Sequence, residues 1–88
     1  MTKEKFIEFV NSRNEFNAKH GYDDNFEFIS YHSILNFGLL KETVILRDGR
    51  VLVYYRIYVF NELYNDFIPV RSFKDLNLAE NVLSALTK

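Results

Sequence analysis

The longest run of strand-forming residues is Val51-Leu52-Val53-Tyr54-Tyr55-Arg56-Ile57-Tyr58-Val59-Phe60, β-branched and aromatic with a single charge. Val44-Ile45-Leu46 precedes it, and Asp48-Gly49 lies between the two. Apolar runs joined by Asp-Gly predict a β-hairpin, because a type I′ turn needs positive φ at both central residues. A two-residue loop pairs Arg47 with Arg50, Leu46 with Val51, Val44 with Val53 and Thr43 with Tyr54. Opposed residues share a face. The expected core face is therefore Val44, Leu46, Val51, Val53, Tyr55, Ile57 and Val59. The expected outer face carries Lys41, Thr43, Ile45, Arg47, Arg50, Leu52, Tyr54, Arg56, Tyr58 and Phe60.

Helical periodicity flanks this hairpin. Phe6, Phe9, Val10 and Phe16 recur at roughly helical spacing, with Thr2 able to cap the start and Gly21 the end, which predicts a helix over about residues 3–19. Over 23–38, Asp24 and Glu27 fit a capping box and Gly38 a stop, so a second short helix is expected there. Strand alternation separates apolar from polar poorly in that stretch. Phe67-Ile68-Pro69-Val70-Arg71 predicts a third strand, at an edge because Pro69 has no N–H to donate. Ser72 and Asp75 then fit a capping pattern ahead of Leu76, Ala79, Val82, Leu83 and Leu86, a closing helix whose apolar face suits Val53, Tyr55, Ile57 and Val59. The predicted fold is a single α+β domain over residues 1–88: a two-layer sandwich with an N-terminal helix, a three-stranded antiparallel meander and a C-terminal helix.

Composition narrows the setting. Nine Phe and six Tyr in 88 residues supply the area that a small core needs. The absence of cysteine removes disulfides and thiolate metal sites, and suits a reducing, cytoplasmic location. No apolar run reaches membrane-spanning length, and the first residues lead into an amphipathic segment instead of a signal peptide, so a soluble protein away from membranes is expected. The abundance of Asn, Lys, Ile, Phe and Tyr follows AT-rich codons and hints at a low-GC bacterium or its phages.

Net charge is −1, without the basic excess usual in a nucleic-acid binder. Residues 41–60 are the locally basic part, with Lys41, Arg47, Arg50 and Arg56 against Glu42 and Asp48. Arg beside Tyr suits a protein hot spot, and equally phosphate contact with base stacking. The expected function is thus a non-enzymatic interaction module, a phage or mobile-element accessory or inhibitor being one version. It would bind a protein partner, another protein or itself, through Tyr54, Arg56 and Tyr58, with Lys41, Arg47 and Arg50 as rim. The same six side chains serve equally as ordinary solvent cover for a thin sheet.

The alternative is a nucleic-acid binder using the basic hairpin as a wing or stacking platform. Residues 25–37 contain no Lys or Arg, which weighs against a recognition helix ahead of such a wing. A small hydrolase or nuclease around His32 or His20 is the third option. The serines lie in no nucleophile-elbow setting, and the three glycines form no phosphate-binding loop. Asp23, Asp24, Glu27 and His20 lack metal-ligand spacing and have an ordinary explanation at helix ends, so neither a metal nor a cofactor is expected.

Overall fold

The computed structural model describes residues 2–86. Helix α1 (Lys3–Lys19) leads into four strands, β1 (Asn25–His32), β2 (Phe37–Ile45), β3 (Val51–Asn61) and β4 (Asp66–Phe73), and helix α2 (Leu76–Leu86) closes the chain. The strands form one antiparallel sheet in the order β1-β2-β3-β4. The α+β class and both terminal helices match expectation. The meander has four strands where three were expected.

The helices lie on opposite faces of the sheet, so there are three layers and not two. Phe6 and Val10 of α1 pack with Leu40, Tyr58 and Phe67. Ala79 and Leu83 of α2 pack with Leu39 and Ile57, the neighbours that point the other way. Placing Ile57 and Leu83 in the core is correct: both are buried. Burial on both faces explains why β3 is rich in apolar residues at every position.

β1 replaces the expected second short helix, and the weak alternation that disguised it has a specific cause. Phe28 pairs with Leu40 and Ser30 with Leu39, leaving Ile29 as a bulge. The extra residue resets the phase, so Phe26, Phe28 and Tyr31 all reach the α1 side while Ile29 reaches the α2 side. Gly38 is not a helix stop either. It lies in β2 beneath the Phe6 ring, where a Cβ would come within 2.3 Å of the ring.

The hairpin is displaced by one residue. The Leu46 N–H donates to the Arg50 carbonyl and the Gly49 N–H to the Leu46 carbonyl, enclosing a three-residue loop in which Gly49, at φ +87°, has positive φ and Asp48 does not. Ile45 therefore faces Val51, Thr43 faces Val53 and Glu42 faces Tyr54. β3 divides between faces as expected, but every β2 side chain swaps sides.

The ends of the other elements have local causes. Thr2 Oγ1 accepts from the Lys5 N–H at 3.4 Å, and Gly21, at φ +73°, ends α1. Pro69 does sit on an edge strand, next to a second bulge at Val70. Asp75, not Ser72, caps α2: its Oδ1 accepts from the Asn77 and Leu78 N–H groups at 2.8 and 3.3 Å, while Ser72 stays in β4 opposite Arg56.

Candidate functional site

The one-residue shift and the cover of α1 together separate the six residues expected to form one partner-binding face. Tyr54, Arg56 and Tyr58 share a face, but it is the face that α1 covers. Tyr58 is only 7% exposed, its ring 5.2 Å from that of Phe9 and 6.5 Å from that of Phe6. Burial pushes the Tyr58 phenol above its ordinary pKa of 10.0; Glu42 adds to the rise and the Arg56 and Arg13 guanidiniums oppose it. Arg56 is committed inside the sheet: its Nε lies 2.6 Å from Glu42 Oε1 and its guanidinium 5.2 Å from the Tyr54 ring centroid. Lys41 points to the opposite face, across from Tyr55. Arg47 and Arg50 are exposed at the hairpin tip, with Arg50 Nε 2.6 Å from Asp48 Oδ2. Tyr54 and Arg56 are thus one group, Lys41 a second and the tip a third, with Tyr58 in the core.

A different surface gathers more chemistry. α1 leans towards β1, held there by a side chain that acts as a strand partner. Asn14 Nδ2 donates to the Phe26 carbonyl, and the Phe26 N–H donates to Asn14 Oδ1, both at 2.8 Å. Asn17 Nδ2 adds a bond to the Asp24 carbonyl at 3.3 Å. With α1 drawn to that side, a groove of about 510 Å³ opens between it and the β3–β4 end of the sheet. Phe9, Phe16, Phe60 and Phe67 line it. Lys5, Glu8, Ser12 and Arg13 of α1 stand along one wall, Asn65 and Asp66 along the other. The Arg13 guanidinium sits 5.2 Å from the Phe9 ring centroid.

The far wall belongs to the β3–β4 turn, where Leu63 is 86% and Tyr64 70% exposed. The neighbouring β1–β2 turn repeats the design: Ile34 is 92% exposed, and Asn36 takes the positive φ that Asn65 takes in the other turn. The two turns lie at the same end of the meander, and the Phe60 N–H donates to the Asn36 carbonyl at 3.2 Å. Neither turn stood out as a site in the sequence. The available signal was a pair of bulky apolar residues inside a short loop, where small polar residues are the rule.

The histidines are apart from this groove's lining. His20 packs at a tilt against Phe16 and stacks with Tyr22, ring centroids 4.3 and 6.2 Å away. His32 ends β1 beside Ser33 and Ile34. Among the described residues no three His, Cys, Asp or Glu side chains converge as metal ligands, and no helix is long and apolar enough to cross a membrane. Comparison of the chain with protein families, with characterised proteins and with solved structures finds no match.

Proposed function

We propose that the chain is a small non-enzymatic module that holds a protein partner in the phenylalanine-lined groove between α1 and β4, with Leu63 and Tyr64 as part of the contact. The observation that carries this is the exposure of large apolar side chains on a turn that also forms the groove wall. Both side chains stay largely outside the core, and large exposed apolar side chains beside an aromatic groove suit an interaction site. Aromatic residues framed by mixed charges are also what protein interfaces concentrate. Lys5, Glu8 and Arg13 along α1 and Asp66 on the other wall give the groove a rim of both signs, which suits the polar backbone and side chains of a polypeptide.

A nucleic-acid partner has less support, because Arg50 and Arg56 are already paired with carboxylates and Lys41 lies on another face. At the hairpin tip the exposed Arg47 is a secondary contact in this reading. Blocking a host or competing protein in the cytoplasm is the version of this function that size and composition suggest.

The test is affinity capture from native-host lysate, with and without nuclease, comparing the wild type with Leu63→Ser/Tyr64→Ser. The expected result is a protein recovered in both wild-type lanes and lost with the variant, whose circular dichroism is unchanged. Recovery that disappears with nuclease, or that survives the double substitution, would overturn the assignment.

A further inference from the structure

A sheet of four strands has two long edges, and this chain disables both. On β1, Asn14 occupies the outward N–H and C=O of Phe26, and the Ile29 bulge breaks the row beyond it. On β4, Pro69 and the Val70 bulge interrupt the outer row. These are standard devices against edge-to-edge pairing. A third, shorter edge carries neither. β4 ends at Phe73, opposite Tyr55, while β3 begins at Val51, so residues 51–54 extend past the last strand that could cover them.

Backbone direction along this edge follows from the turn. The Leu46 N–H bonds to the Arg50 carbonyl, and the Phe60 N–H to the Asn36 carbonyl. Hydrogen-bonded pairs alternate with non-bonded ones. Even-numbered residues of β3 therefore bond towards β2, and Val51 and Val53 direct their N–H and C=O groups outwards. Among the described residues those groups have no hydrogen-bond partner. Val51 is 57% exposed, and no charge, proline or bulge interrupts residues 51–55.

We propose that this edge pairs with the same edge of a second copy of the chain, joining two sheets into one. Antiparallel pairing about a two-fold axis at Leu52 sets Val51 of each copy against Val53 of the other. That register uses all the outward groups, in two reciprocal pairs of two hydrogen bonds each. Charge is compatible with it. Arg50 is neutralised by Asp48 and comes to lie opposite Tyr54 of the second copy. The tip carrying Asp48 approaches the place where β4 stops, which is followed by Lys74. Side chains opposed across the axis are leucine and valine, so no like charges meet.

The test combines light-scattering mass measurement over a concentration series with amide hydrogen exchange. The expected mass rises from 10.5 kDa towards twice that value as the chain is concentrated, while the Val51 and Val53 amides slow together. Val53→Pro deletes an outward donor in each copy without touching a β2–β3 bond. Losing two hydrogen bonds weakens the dimer roughly 30-fold. Val53→Thr, which keeps the N–H, stays dimeric. If Val53→Pro proves unfolded by circular dichroism, wild-type exchange decides alone. A chain that is monomeric at every concentration leaves the edge to a strand from another protein and overturns self-pairing. So does a dimer in which Val51 and Val53 exchange as fast as in the monomer.

Discussion

Gly38→Ala tests the packing on which the α1 side of the molecule depends. A Cβ at residue 38 would lie 2.3, 2.4 and 2.5 Å from Cζ, Cε1 and Cε2 of Phe6. Ordinary contact begins near 3.4 Å, so the ring must retreat by 3.4 − 2.3 = 1.1 Å. It has little room: Phe6 is fully buried, with the rings of Phe9, Phe28, Tyr31, Tyr58 and Phe67 between 5.1 and 6.5 Å away. Overpacking of this kind costs about 1–3 kcal/mol, and the enclosure of Phe6 puts the expected loss near the top of that range. For a domain of this size that is a fall in Tm of roughly 10–20 °C. Phe6→Leu removes the three clashing atoms at a cost of about 1–2 kcal/mol. In that background Gly38→Ala becomes nearly neutral, which makes the pair strongly non-additive. Urea denaturation of the wild type, both single variants and the double variant measures the coupling. Equal cost of Gly38→Ala in the two backgrounds would refute the stated contact.

Asn14→Ala should cost about 1–2 kcal/mol in denaturation experiments and speed exchange of the Phe26 amide, because both outward groups of that residue lose their partner; an unchanged midpoint with a protected amide would show that α1 is held otherwise. The raised pKa of Tyr58 makes stability pH-dependent on the alkaline side. Below the ordinary value of 10.0 the contribution is fully present, and it is lost as pH rises towards the higher folded-state value, since the unfolded chain ionises first. Tyr58→Phe should flatten that decline, and an identical alkaline slope in the variant would count against it. Gly49→Val should destabilise the hairpin by about 1 kcal/mol or more through its positive φ alone, because nothing lies within 4 Å of a Cβ there; a neutral effect on the denaturation midpoint would place the turn wrongly.

The terminal helices were legible because each carries its own start signal and an apolar stripe. β3 was legible from composition. What the sequence hid were three insertions of a single residue. The Ile29 bulge erased the alternation of β1 and let capping residues suggest a helix. The third loop residue beside Asp48-Gly49 reversed the faces of β2, bringing Glu42 to Arg56 and taking Lys41 away. The Val70 bulge moved Phe73 to the α2 side, opposite to Phe67. None of these leaves a local signature apart from Gly49. The six expected site residues lie apart for two reasons: the register carries Lys41 to the other face, and Tyr58 reads as an outer-face residue until a helix is known to cover that face. The groove was invisible for another reason: it exists only because Asn14 ties α1 towards β1 and away from β4, a long-range choice that no spacing within α1 records.

Photo-crosslinking inside the producing cell tests the proposed groove most directly. A benzophenone-bearing residue replaces Phe16 in the groove lining or Tyr64 on the turn that forms its wall, or Glu80 on α2 as the control on the opposite side of the sheet. A binding groove predicts one protein adduct common to the first two positions and absent from the third. Adducts at Glu80 alone, or nucleic acid in place of protein at Phe16 and Tyr64, would contradict it.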